Sequence, residues 1–149
     1  MHCYFLFEVK RLVKVDDYEV PEGLYYSKEW TWVKLEDGKA RIGITDYAQK
    51  QLKEIVFAEL PNVGDEVTKG EPFGTVESVK SVSDLVAPLS GEIVEVNEEV
   101  VNNPQIINED PYGKGWLIVV SPSNLDEDLK TLMSFEESVE WHKELVKEG

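Results

Sequence analysis

Glu71-Pro72-Phe73-Gly74-Thr75-Val76-Glu77-Ser78-Val79-Lys80-Ser81-Val82-Ser83-Asp84-Leu85-Val86-Ala87-Pro88-Leu89-Ser90-Gly91-Glu92-Ile93-Val94-Glu95-Val96 holds three short β-rich runs, residues 71–79, 82–87 and 92–96. The β-branched side chains at Thr75, Val76, Val82, Val86, Ile93 and Val94 favour extended backbone. Turn residues Pro88-Leu89-Ser90-Gly91 separate the second run from the third. Runs this short and this closely punctuated predict a mainly β fold, a small barrel or sandwich rather than an α/β sheet. No glycine interrupts the segment around Lys80, and a type I turn needs no positive φ, so Val79 and Lys80 can occupy its two central positions. Lys80 then stands at a hairpin tip. The Gly64–Gly70 turn before it and the Pro88–Gly91 turn after it each feed a β-rich run, which suits two equivalent halves meeting at that tip.

Working outward, residues 54–58 read as a strand ahead of the Pro61-Asn62-Val63-Gly64-Asp65 turn. Residues 24–35 are aromatic-rich, and Glu36-Asp37-Gly38-Lys39 is a hairpin turn returning through residues 40–44. If residues 29–32 are strand, Trp30 and Trp32 share one face and Glu29 with Thr31 the other. Thr45 can cap a short internal helix over residues 46–52, with Asp46 at its positive end. Residues 4–20 read as one or two strands, a 1–23 extension before a domain of residues 24–149. Asn102-Asn103-Pro104 opens a loop or helical turn, and residues 115–120 are a last strand anchored by Trp116, with turn glycines at 113 and 115. The tail, residues 124–148, reads as helical from the spacing of Leu125, Leu129, Leu132 and Met133. Ser134 with Glu137 then forms a capping box ahead of Phe135 and Val139.

Lys and Arg total 15 against 30 Asp and Glu, so the formal charge is −15. Such a surface repels phosphate backbones and anionic membranes, and no nucleic acid or membrane partner is expected. It suits either solubility or steering toward basic docking faces. Cys3 is the only cysteine, and His2 and His142 are the only histidines, which removes most nucleophilic and metal constellations and any intrachain disulfide. His142, in a charged stretch, reads as an ordinary helix residue. The apolar Tyr4-Phe5-Leu6-Phe7 is broken by Glu8 and followed by Lys10 and Arg11, so it is neither a spanning helix nor a signal core; a cytoplasmic protein is expected.

Chemistry by the Lys80 amine itself needs a depressed pKa, and its neighbours Glu77 and Asp84 give none. The remaining role is attachment. Gly43-Ile44-Thr45-Asp46-Tyr47-Ala48-Gln49, Gly74-Thr75-Val76-Glu77-Ser78-Val79-Lys80 and Ala87-Pro88-Leu89-Ser90-Gly91-Glu92-Ile93-Val94-Glu95-Val96-Asn97 closely resemble the H protein of the glycine cleavage system. Leu60-Pro61-Asn62-Val63-Gly64 and Pro111-Tyr112-Gly113-Lys114-Gly115-Trp116 fit the same family in the same order. The resemblance spans residue 24 to the C-terminus.

The resemblance implies a barrel-sandwich hybrid of two antiparallel sheets, with lipoate in amide linkage to Lys80. It implies a carrier and not an enzyme. Its partners would be a pyridoxal-phosphate glycine decarboxylase, a tetrahydrofolate-using aminomethyltransferase, the FAD enzyme dihydrolipoamide dehydrogenase, and a lipoate-protein ligase or lipoyl/octanoyl transferase. A tethered arm presents its cargo at high effective concentration, and a cleft that excludes water slows loss of that cargo. Asp84 matches the family's aspartate near the arm cleft, whereas Glu77 is a neighbour of the arm, a recognition mark for lipoylation or a plain strand carboxylate. One departure stands out. The family usually reads Tyr-Ser-Lys-Glu-His-Glu-Trp where this chain has Tyr26-Ser27-Lys28-Glu29-Trp30-Thr31-Trp32, so Thr31 replaces a cleft glutamate and Glu29 or Asp84 must supply the charge. Three other readings keep part of this: an H-like relay donating lipoyl groups to other acceptors, an unmodified barrel acting as a binding module, and an enzyme built on carboxylates.

Overall fold

The computed structural model describes residues 11–148. His2, Cys3 and the Tyr4–Phe7 run lie outside them. The early strands form a separate hairpin, β1 (Leu12–Val15) with β2 (Tyr18–Pro21), turned by Asp16 at positive φ. The rest is two antiparallel sheets. The larger orders β3 (Tyr25–Tyr26), β4 (Thr31–Glu36), β5 (Lys39–Ile44), β11 (Ile118–Pro122), β10 (Gly91–Val96) and β7 (Glu66–Val67). The smaller orders β6 (Ile55–Glu59), β8 (Pro72–Ser78) and β9 (Val82–Val86), leaving β9 at an edge. Ile42, Ile44 and Ile93 of the first sheet share one core with Ala58, Val76 and Leu85 of the second. Full burial of each larger aliphatic side chain stabilises by about 1.5–3 kcal/mol, which is why most inward positions are apolar, with Thr31 and Ser78 the buried polar residues of these strands.

Local chemistry explains most boundaries. Asp37 (φ 51°) and Gly38 (φ 76°) both adopt the left-handed conformation that a two-residue hairpin demands, and Glu36 pairs with Lys39 across it. Gly43 serves a different purpose. A Cβ there would lie 2.5 Å from the Trp32 ring, which is fully buried and donates its indole N–H to the Pro111 carbonyl at 3.0 Å. Thr45 caps α1 (Asp46–Leu52) by accepting from the Ala48 N–H at 3.2 Å. Asp46 is buried and ties this helix to the N-terminal hairpin, accepting the Glu19 N–H at 2.9 Å and the Gln49 amide at 2.7 Å. The Gly64–Gly70 turn is held at both ends to residues flanking the Pro88–Gly91 turn: the Gly64 N–H reaches the Ile93 carbonyl, and the Gly70 N–H the Ala87 carbonyl, both at 2.8 Å.

Three expectations need correction. Trp30 and Trp32 do not share a strand face, because the chain turns through Ser27–Trp30 and β4 begins only at Thr31. Trp30 takes φ 75°, the left-handed residue that closes a three-residue hairpin loop, so alternation starts after it. The last strand starts later than residue 115, since the Asn97 amide holds the Lys114 and Trp116 carbonyls at 2.9 and 2.6 Å and keeps that stretch in a turn. The tail is not continuously helical: α4 (Leu125–Leu129) stops and Met133 exchanges both backbone hydrogen bonds with Tyr26, a strand-like bridge that overrides helical spacing. Two short helices, α2 (Glu98–Asn102) and α3 (Ile106–Glu109), flank the predicted Asn-Asn-Pro break, α2 capped by the Asn97 side chain. The Ser134–Glu137 capping box does open α5 (Phe135–Glu148), with both reciprocal bonds formed at 2.9 and 3.2 Å. Among the described residues no helix is long and apolar enough to cross a membrane.

Candidate functional site, a lysine-tipped hairpin beside an aromatic-walled cleft

β8 and β9 form the hairpin that carries Lys80, and Val79 and Lys80 occupy its tip without positive φ. Ser78 builds the turn. Its N–H donates to the Ser81 carbonyl at 2.8 Å, while its hydroxyl oxygen accepts the N–H groups of both Lys80 and Ser81 at 3.1 Å. A serine hydroxyl thus stands in for the carbonyl that closes an ordinary β-turn. The Val79 N–H is satisfied by Glu54, so the tip backbone is fixed while the Lys80 side chain is exposed. A fixed base under a free amine is what an attachment point requires.

Beside the hairpin lies a cleft of about 310 Å³. One wall is β9, from which consecutive Ser83, Asp84 and Leu85 all line it, because the cleft runs along the side of β9 that no strand covers. The facing wall is the Glu29–Thr31 segment with Ile44 and α1 residues Tyr47, Ala48 and Leu52. Val76, four residues before Lys80, reaches the cleft from β8, which puts the tip about 13 Å away along the strand. The walls are mostly apolar and the mouth carries the exposed carboxylates of Glu29 and Asp84.

Glu29, Thr31 and Asp84 therefore gather around one cleft, and Glu77 does not. Glu77 pairs with Phe57 and Val82 on the outward face of the small sheet, opposite Val76. Thr31 is fully buried and its hydroxyl is engaged by Ser27 at 2.6 Å. Ser27 also accepts the Glu29 and Thr31 N–H groups at 3.2 and 3.3 Å, so it shapes the loop that presents Glu29 and Trp30. Glu29 sits on this loop rather than on a strand face shared with Thr31.

Sequence reasoning missed the aromatic wall. Trp30 stacks on Tyr47 with ring centroids 4.8 Å apart and planes 6° from parallel, and Trp141 of α5 packs behind at 5.3 Å. The signal was available in the fixed spacing of Trp30 before the strand and Tyr47 in the capped helix, but only the positive φ at Trp30 brings them together. His142 lies in a helix, α5, as expected. It is fully buried, edge-on to Tyr47 at 6.0 Å and Trp141 at 5.5 Å, and its Nδ1–H donates to the Ser138 carbonyl at 2.7 Å. Nε2 finds no partner among the described residues.

Burial pushes the His142 imidazole below its ordinary range, and the Ser138 hydrogen bond and the charge of Asp46 oppose this only in part. The folded state therefore holds the ring neutral while the unfolded chain takes up a proton near pH 6.5. Stability from this group is complete above that pH and is lost as pH falls toward the folded-state value, by at most about 1.4 kcal/mol per pH unit. Thermal unfolding between pH 7 and 5 should show a steeper decline for the parent than for His142→Gln. Equal slopes would show that the ring is protonated in the fold.

Comparisons with known proteins show the family. The model of the family described as glycine cleavage H-protein matches residues 24–145. A "Probable glycine cleavage system H protein" of Pyrococcus abyssi is 54% identical over 135 residues, covering 90% of this chain and all of that one. The "Glycine cleavage system H protein" of Halalkalibacterium halodurans is 56% identical over 129 residues, 87% of this chain and 97% of its own. A crystal structure of a glycine cleavage system H protein from Mycobacterium marinum superposes with a TM-score of 0.76 at 40% identity, over 83% of this chain and 98% of that one. A chain that matches this family model over residues 24–145, and superposes on a solved member over 83% of its length, belongs to the glycine cleavage H-protein family.

Proposed function

We propose that the protein is the lipoyl carrier of a glycine cleavage system, with the lipoyl group in amide linkage to Lys80. The observation that carries this reading is an exposed lysine on a rigid hairpin tip beside an apolar cleft. The residues present fit the group: a primary amine stands free of the fold, and Ile44, Leu52, Val76 and Leu85 offer a hydrocarbon surface to an acyl arm. When attached, the dithiolane supplies a disulfide that can take up a one-carbon amine and two electrons.

The protein's own part is to hold and present. Ser78 fixes the base of the arm, the cleft walls exclude water from what is brought in, and Glu29 and Asp84 face a cationic amine at the mouth. Chemistry on glycine, folate and flavin falls to the other components, a decarboxylase with pyridoxal phosphate, an aminomethyltransferase with tetrahydrofolate and dihydrolipoamide dehydrogenase with FAD. The acidic surface, formal charge −15, suits docking on basic faces of those partners. Residues 11–23, outside the family match, brace α1 and α5 and form a structural appendix to the carrier domain.

The test is intact-mass analysis after incubation with a lipoate-protein ligase, lipoate and ATP, followed by peptide fragmentation. A single lipoyl addition on the peptide bearing Lys80 is expected. Addition elsewhere, or none, sinks the reading.

A further inference from the structure

The β1–β2 hairpin lies outside the family match, yet it reaches the α1 wall of the cleft from behind. Two cleft-lining residues of α1, Tyr47 and Gln51, stand one turn apart on the same face of the helix, and Tyr18 of β2 touches both. The Tyr18 ring tilts onto Tyr47 with centroids 4.6 Å apart and planes at 59°, and its hydroxyl accepts the Gln51 amide at 3.2 Å. Lys50 steadies the ring from the same helix: its ammonium lies 5.6 Å from the Tyr18 centroid while it donates to the Asp17 carbonyl and pairs with Asp46 at 3.2 Å. Ring contacts therefore run without a break from Tyr18 through Tyr47 and Trp30 to Trp141, joining the hairpin to α5 through the aromatic wall.

Tyr18 is presented from a fixed base. Val20 is fully buried in a second core with Trp32, Met133 and Phe135, which anchors β2 away from the barrel interior. The next residue after Tyr18 is held on both sides: the Glu19 N–H donates to Asp46 at 2.9 Å, and its carbonyl accepts the Tyr112 hydroxyl at 2.7 Å. That hydroxyl in turn accepts the Asp46 N–H at 2.9 Å, closing a ring of hydrogen bonds between β2 and the first turn of α1. The helix needs such support. It has seven residues, and helices shorter than about 12–15 residues are marginal on their own, so the set of α1 comes from what packs against it.

We propose that Tyr18 is a positioning residue of the cleft: it keeps Tyr47 against Trp30 and Gln51 at the rim, closes the α1 side to water and so prolongs the life of a cargo carried into the cleft. The inference rests on the reading of Lys80 as the lipoyl attachment point. Hydrolysis of an aminomethyl thioether breaks its C–N and C–S bonds. Ammonia leaves with the C–N electron pair, the water oxygen ends in formaldehyde, and the two water protons end on ammonia and on the thiol. Water is a reactant in that loss, so a wall that excludes it slows the loss, and a wall whose helix drifts does not. Tyr18 touches no cargo itself and acts through the two α1 residues that it holds.

The test compares the full-length parent with Tyr18→Ala, with Tyr18→Phe, and with Ile93→Val, which loosens the barrel core away from the hairpin. Amide hydrogen exchange over residues 46–52 is read on the unmodified chains, and ammonia release without folate on lipoylated chains loaded from glycine by the decarboxylase. Tyr18→Ala should exchange its α1 amides about tenfold faster, with β8 and β9 unchanged, and release ammonia about fivefold faster. Tyr18→Phe keeps the ring on Tyr47 and should stay within about twofold of the parent in both readouts. Ile93→Val should lower the thermal midpoint and leave both rates at parent values. Parent-like rates in Tyr18→Ala overturn the inference, as does faster exchange without faster release. A rise of equal size in Ile93→Val also overturns it, because the effect would then be one of global stability. A parent chain that gains no mass with ligase, lipoate and ATP removes the Lys80 reading and the inference with it, and intact mass taken before loading tells that failure from the others.

Discussion

Lys80→Arg is expected to fold like the parent and to support no glycine cleavage. The substitution keeps the charge and most of the length, and the tip backbone is held by Ser78 rather than by the lysine side chain. An exposed side chain away from packed contacts changes stability by about 0.5 kcal/mol at most. A guanidinium, protonated far above neutral pH, offers no amine to acylate. The loss should therefore be complete: no lipoyl mass after ligase treatment, and carbon dioxide release from glycine at the background of the other components alone. The same thermal midpoint and far-ultraviolet spectrum would show that the fold is intact. Turnover supported by Lys80→Arg would mean that the arm is elsewhere or unnecessary.

The outcome depends on one residue that could be read from the chain. Strand runs on either side of Lys80, with no glycine between them, were enough to place it on a hairpin tip, and the Asp37-Gly38 turn and the Thr45 cap were legible for similar local reasons. What escaped was decided by long-range partners. Met133 follows helical spacing, yet its N–H and carbonyl pair with Tyr26, more than a hundred residues earlier in the chain. Trp30 lies in an alternating pattern, yet its positive φ swings it out of the strand and onto Tyr47. His142 lies in a charged helix, and only the packing of α5 against the Trp30–Tyr47 stack buries it. Local chemistry thus specified the arm's base, while the cleft is a product of tertiary contacts. Its carboxylates illustrate the division. Glu77, adjacent to the arm in sequence, faces away, and Glu29, distant in sequence, lies at the mouth.

That placement leads to the second large effect. The glutamate that the resemblance implies for the cleft is Thr31 in this chain, buried with its hydroxyl committed to Ser27. A cationic amine carried into the cleft then has Glu29 on one wall and Asp84 on the other as its carboxylate partners. A charge leaving water needs such a partner, and charge-assisted hydrogen bonds are about twice as strong as neutral ones. Glu29→Gln and Asp84→Asn preserve shape and hydrogen bonding while removing the charge. On lipoylated protein loaded from glycine by the decarboxylase, ammonia release in the absence of folate should rise in each variant and by about tenfold in the double variant, the effect of a barrier lowered by roughly 1.4 kcal/mol. The two carboxylates face one amine, so their effects should be coupled rather than additive, and the double-mutant cycle measures that coupling. Raised salt should accelerate release from the parent more than from the double variant, because only the parent has a mouth charge to screen. If both amide variants hold their load as long as the parent, the carboxylates do not guard the arm. The protection would then come from the apolar walls alone, and Trp30→Ala, which opens the aromatic side of the cleft, would be the variant that leaks.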